Sequence, residues 1–220
     1  MSEGKGVTVF LGLVVSTILL GTSPPPSPQF VPGEILIKFV HGTDGSAAVT
    51  RAIQVNPPDL GALGPVFKRL QGKTGIPVEA KQVTGGNWVV LSVNSDKLLD
   101  QLVTQLRARD NVAKVAVSPE KPGAHVGFSL PKPLVVTFVP GSPESEAVAQ
   151  KLADAGDARF AQLIRELEKD LDLPLTGEVN DEATVVVQID LKALTPVLAE
   201  RLKALSDIES AQPNYILTIK

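Results

Sequence analysis

The chain has no cysteine, one tryptophan, one tyrosine and seven phenylalanines, so aromatic residues make up only 4% of its 220 positions. Without thiols there is no disulfide scaffold, no cysteine-ligated structural zinc and no thiolate nucleophile. Charge of one sign is also missing: 21 basic residues stand against 24 acidic ones, a net charge of −3. Together with the lack of aromatics, this leaves neither the basic stripe nor the stacking platforms of a nucleic-acid surface. No cofactor and no metal is expected. Any folded unit must therefore stand on its hydrophobic core.

A bilayer-length apolar run is lacking as well. The longest stretch, Val7 to Gly21, covers fifteen residues behind Lys5 and ahead of Thr22-Ser23-Pro24-Pro25-Pro26-Ser27-Pro28. That length suits a signal-peptide core better than a span of about 20 residues, and the prolines suit an extended spacer. Residues 1–23 are expected to be a signal peptide or membrane anchor and 24–31 a Pro-rich spacer. Secretion or a place in the cell envelope follows, with membrane attachment through residues 7–21 as one possibility.

What is present is a duplication. Ile35-Leu36-Ile37-Lys38-Phe39-Val40 returns as Leu134-Val135-Val136-Thr137-Phe138-Val139, a shift of 99. Leu98, Leu102, Leu106 and Val112 return 96 positions later as Leu194, Leu198, Leu202 and Ile208. One three-residue length difference lies between the two matches, which a loop or helix end absorbs at small cost. Two homologous domains are expected, 32–119 and 133–220, joined by a linker at 120–132.

In the first block, Ile35, Ile37 and Phe39 alternate with Leu36, Lys38 and Val40, the period of a strand with one buried face. Residues 46–75 carry helical stretches broken by Pro57-Pro58, Gly61 and Gly64. Val78 to Val83 and Trp88 to Val93 flank Thr84-Gly85-Gly86-Asn87, a hairpin with glycines where positive φ is needed. Ser95 is a candidate cap for a helix bearing Leu98, Leu99, Leu102, Val103 and Leu106, and Val112 to Val117 closes the block. The second block repeats the order. Its helices are expected at Glu144 to Ala155 and Arg159 to Leu171, and its hairpin at Leu175 to Val179 and Thr184 to Ile189 around Asn180-Asp181-Glu182. A last helix is expected to be capped by Thr195 with Pro196 at its first position. Both blocks spell β-α-β-β-α-β, an α+β class with an antiparallel sheet and the helices on one face.

That arrangement leaves the other sheet face open. If Val89, Leu91 and Val93 point at the helices, then Trp88, Val90 and Ser92 point away, as do Val186 and Gln188 in the second block. A half-apolar open face invites a partner or the sister repeat.

Two segments carry a family resemblance. Phe30-Val31-Pro32-Gly33-Glu34-Ile35-Leu36-Ile37-Lys38-Phe39 resembles the opening strand of subtilisin-family propeptides (peptidase inhibitor I9-like domains), fervidolysin-like prodomains in particular. Ile208-Glu209-Ser210-Ala211-Gln212-Pro213-Asn214-Tyr215-Ile216 resembles their closing strand. The opening motif belongs to block one and the closing motif to block two; block one itself ends in Val115-Ala116-Val117-Ser118-Pro119. The resemblance implies two tandem ferredoxin-like domains that bind, and inhibit or help to fold, a subtilisin-like serine protease in trans. It also implies an open sheet face packed on the protease and a C-terminal tail lying in the active-site cleft, where main-chain hydrogen bonds supply affinity. The implied protease-binding residues are Pro213, Asn214, Tyr215, Ile216, Leu217, Thr218, Ile219 and Lys220, with Val186 and Gln188 on the open face. Block two is expected to do the binding, with block one its degenerate companion.

Residue patterns suggestive of catalysis do not hold together. His41-Gly42-Thr43 and Gly21-Thr22-Ser23 mimic the histidine and serine motifs of subtilisin-like proteases, but the first occupies a strand-to-helix turn and the second the end of the signal segment. No arginine follows the first strand closely enough to cradle an acyl phosphate. Asp181 and Glu182 read as solvated acids of a hairpin turn. The chain is expected not to be an enzyme. The alternative to inhibition is a structural or ligand-sensing tandem module, or the relic of a truncated protease precursor.

Overall fold

The computed structural model describes residues 29–84, 86–118, 131–153 and 157–216. Residues 1–28, most of the expected linker and Leu217–Lys220 lie outside them, and with them the expected signal segment and tail. Among the described residues no helix is long and apolar enough to cross a membrane.

Among the described residues the fold is mixed α+β, with two four-stranded antiparallel sheets and six α-helices. Block one runs β1 (Phe30–Phe39), α1 (Asp44–Ala52), a 3₁₀ turn (Leu60–Leu63), α2 (Gly64–Thr74), β2 (Val78–Thr84), β3 (Trp88–Val93), α3 (Ser95–Arg107) and β4 (Val112–Val117). Block two runs β5 (Leu134–Phe138), α4 (Pro143–Leu152), α5 (Asp157–Leu171), β6 (Leu175–Asp181), β7 (Thr184–Ile189), α6 (Leu191–Lys203) and β8 (Ile208–Tyr215). The expected element order is therefore present twice.

The sheets do not coincide with the blocks. The first has the order β2-β3-β1-β8 and the second β4-β5-β7-β6. Each takes three strands from one block and its closing strand from the other. β8 lies antiparallel to β1, with Leu36 opposite Gln212 and Ile37 opposite Ala211. β4 lies antiparallel to β5, with Val115 opposite Val136 and Ala116 opposite Val135. The repeats 32–119 and 133–220 are thus sequence units but not the units that close in space. The chain crosses over after β3 and after β7, and the helix that follows carries the last strand to the neighbouring sheet. α6 packs on β1 and β8, and α3 packs on β4. Two matching bonds seal the exchange, Val40 N–H to the Asp207 carbonyl at 3.0 Å and Val139 N–H to the Asn111 carbonyl at 2.9 Å.

Both crossing helices start one residue earlier, or more, than their hydroxyl residues suggest. Asn94 caps α3, its side chain accepting from Lys97 N–H at 3.0 Å, and Ser95 is already inside the helix. Asp190 caps α6, accepting from Ala193 N–H at 2.9 Å, so Thr195 and Pro196 lie within that helix rather than at its start. An acidic or amide cap relieves the same orphan N–H groups as a hydroxyl, and the apolar stripe permits the extra turn. Freed from capping, the buried Thr195 hydroxyl donates to the Leu191 carbonyl and accepts from Gly33 N–H of β1 at 2.7 Å. Smaller shifts occur elsewhere. α4 stops at Leu152, α5 begins at Asp157, and β6 extends through Asn180 and Asp181, which leaves Glu182–Ala183 as the turn.

One apolar core joins the two sheets and their helices. From the sheets it takes Ile35, Ile37, Phe39, Val89, Leu91 and Val93, and in turn Leu134, Val136, Phe138, Val185, Val187 and Ile189. These positions alternate along their strands, so each sheet buries one face, and burial of this kind is the main stabilising term.

Thr195 lies on α6 of block two and its bond partner Gly33 on β1 of block one, which makes it a probe of the exchanged closure. Replacing Thr195 by Val leaves the Gly33 N–H unpaired in a buried place and is expected to cost about 1–3 kcal/mol. Replacement by Ser should cost less. Denaturant unfolding midpoints of the two variants check this.

Candidate functional site

The face of the first sheet turned away from the core carries Glu34, Leu36 and Lys38 of β1 and Trp88, Val90 and Ser92 of β3. Trp88 and Leu36 are half-buried and do not join the core, while Val90 is 7% exposed yet also lies outside it. Registry sets Leu36 opposite Val90 and Lys38 opposite Trp88.

The opening and closing motifs meet at one end of this face. Between Phe30 opposite Tyr215 and Ile35 opposite Pro213 the register shifts, so Val31-Pro32-Gly33-Glu34 bulges from the ladder with β8, while Glu34 keeps its place opposite Ser92 of β3. This explains the motif physically. Proline has no N–H for the ladder and glycine tolerates the positive φ of +80° observed at Gly33, both marks of a bulge. A Cβ at Gly33 would also stand 3.3 Å from Leu191 of α6. The bulge aims Glu34 at the closing motif: its carboxylate accepts from the Asn214 amide at 2.8 Å and pairs with Lys81 from β2. Glu34 is only 7% exposed, and two donors hold its carboxyl group in place. Phe30 and Tyr215 stack edge to face at 6.3 Å, and Ile216 N–H donates to the Gln29 carbonyl at 2.8 Å.

Pro213, Asn214 and Tyr215 therefore lie in β8, an outer strand of the first sheet, and Ile216 follows directly. Leu217, Thr218, Ile219 and Lys220 lie outside the described residues. Val186 and Gln188 are half-buried on β7, in the other sheet, facing away from the core; the Gln188 amide reaches the Pro131 carbonyl at 3.4 Å. The expected site residues are not brought together, because the strand exchange sends β8 to the partner block. The open-face residues on the same sheet as Pro213–Tyr215 are Leu36, Trp88 and Val90. Block two carries all of these residues in sequence, but β7 and β8 stand in different sheets. The clue was available: the opening motif stands in one block and the closing motif in the other.

His41-Gly42-Thr43 forms the turn from β1 into α1. Gly42 has φ +82°, matched by Gly141 at +79° in the second block, and Thr43 and Ser142 cap the helices that follow. Among the described residues no group of three His, Asp or Glu side chains is placed to hold a metal ion. At the crossover, a cleft of about 470 Å³ is lined by Thr74, Ile76, Leu98, Leu171, Leu173 and Arg201 among others. The Arg201 guanidinium bridges the ends of α2 and α5, donating to the Thr74 carbonyl at 3.2 Å and to the Asp172 carboxylate at 2.6 Å. Asp172 takes φ +53° where block one has Gly75.

No protein-family model, curated protein or solved structure matches the chain.

Two local outcomes are expected. Asn214→Ala leaves the buried Glu34 short of a donor and should lower stability by about 1–3 kcal/mol in denaturant unfolding. Asp181 is held below its ordinary value of 3.8, first by the Thr184 hydroxyl and then by Ala183 N–H. A lowered carboxylate contributes stability above its unfolded value and loses it as pH falls through the folded one, so the hairpin weakens from about pH 3.8 downward. In an NMR titration, Thr184→Val should move the Asp181 midpoint up towards 3.8; an unmoved midpoint contradicts the assignment.

Proposed function

We propose that this chain is a protein-binding module of the subtilisin-propeptide type, each sheet with its helices forming a ferredoxin-like unit completed by the other block. In this reading the first sheet binds a subtilisin-like serine protease. Its open face, with Leu36, Trp88 and Val90, packs on the protease surface, and the residues after Ile216 enter the substrate groove as an extended strand. The observation that carries the reading is the meeting of both propeptide-like motifs in one sheet, at the end where β8 leaves it. Edge strand β8 also offers unpaired main-chain groups on its outer side, the usual currency of extended-peptide recognition. The second sheet, which has neither motif, supports the first through the shared core.

The competing reading is a structural tandem that binds no protease. It is favoured by the Phe30–Tyr215 stack and the Ile216–Gln29 bond, which hold the strand exit in the chain's own sheet.

Inhibition assays against a panel of subtilisin-like proteases separate the two. The binding reading expects micromolar or tighter inhibition of at least one protease. It expects a loss of tenfold or more, about 1.4 kcal/mol, on removing Leu217–Lys220 or on combining Leu36→Ser with Trp88→Ser. Inhibition no better than millimolar across the panel, unchanged by both alterations, supports the structural tandem.

A further inference from the structure

The two blocks share their pattern of apolar residues, so hydrophobic burial alone does not say which closing strand joins which sheet. The charges do. Call the segment through β3 or β7 the body of each block, and the helix and strand that follow its closing segment. Aligned over the second helices with a shift of 97, Arg69 and Lys73 of α2 correspond to Glu166 and Asp170 of α5. The bodies are therefore basic and acidic at the same places. The closing segments differ at matching places as well: with the shift of 96, Arg109 corresponds to Leu205, Asn111 to Asp207 and Ala113 to Glu209, so the first carries a cation where the second is neutral and the second carries two carboxylates where the first is neutral.

The exchange joins opposites. Asp207 receives Arg69 at 2.8 Å and stands 3.9 Å from Lys73, and Glu209 receives Lys38 at 2.7 Å. In the other sheet Arg109 meets Asp170 at 2.9 Å and the Asn111 amide donates to Glu144 at 2.6 Å. Closure of each block on itself, by the same correspondences, would set Arg109 against Lys73 and Asp207 against Glu144, both like-charged, and would leave Lys38 opposite Ala113. The seam is not freely solvated. Asp207 is 13% exposed in its side chain, and Asp207 Oδ1, Arg69 Nε and Glu144 Oε2 are buried without a hydrogen-bond partner. Like charges are costly at such a place because solvent screens them poorly.

We infer that this charge pairing selects the exchanged fold over self-closure: a basic body accepts only an acidic closing segment, and an acidic body only a basic one. The inference is independent of any protease. It makes the first sheet, with both motifs, a product of both blocks.

Because the chain has no cysteine, introduced pairs report the closure directly. Leu36→Cys with Gln212→Cys joins Cα partners of the exchanged sheet, and Leu36→Cys with Ala116→Cys joins the positions that self-closure would pair. In the otherwise native full chain, oxidation is expected to cross-link the first pair and not the second. Adding Arg109→Asp and Asp207→Arg inverts the closing segments and should shift the ratio of the two cross-links at least tenfold towards the second. Exclusive cross-linking of the first pair in the inverted chain overturns the inference. Should the inverted chain not fold, neutral closing segments decide: with Arg109→Gln and Asp207→Asn in the same cysteine variants, the second cross-link should rise relative to the native charges. An identical product with native and neutral closing segments overturns the inference.

Discussion

The antiparallel ladders β1·β8 and β4·β5 are the constraint on which the rest depends, because each unites a strand from the start of one block with the last strand of the other. Every remote feature is arranged by them. They bring Asn214 to Glu34, Tyr215 to Phe30, and Gly33 to Thr195 of α6, contacts that span between 162 and 185 residues of sequence. Without them each block would present a three-stranded sheet with an uncovered edge and a helix lacking part of its floor. The shared core and the Arg201 bridge between the ends of α2 and α5 follow from the same crossing.

The site is a consequence rather than an addition. A bulge in β1, produced by Pro32 and Gly33, turns Glu34 towards the incoming strand, and the incoming strand supplies Asn214 and the aromatic clasp. The open face beside it owes its apolar patch to alternation. Leu36 and Val90 sit between residues that must face the core, so they must face away. What a partner would meet is thus written by two blocks jointly.

Much of the fold was legible in the residues. Alternation, turn signals, the repeat and the two motifs together located the eight strands to within a few positions, and the repeated leucines located α3 and α6. Helix starts were misjudged where an Asx cap preceded a hydroxyl residue, as at Asn94 and Asp190, since both residue types satisfy the same N–H groups. Strand partnership was not legible from hydrophobicity, because β4 and β8 offer equivalent apolar positions to either body. Here the informative residues were the ones that differ between the repeats: Arg69 against Glu166, Lys73 against Asp170, Asn111 against Asp207, and the two motif halves lodged in different blocks. For the same reason Val186 and Gln188 were grouped with Pro213–Tyr215, although they stand on different sheets.

The central claim, reciprocal exchange of the closing strands, is tested most directly by cutting the chain once between residues 118 and 131 and passing it over a sizing column without denaturant. The account predicts one species that contains both pieces and separates only when unfolded. Elution as two independent folded halves would contradict it.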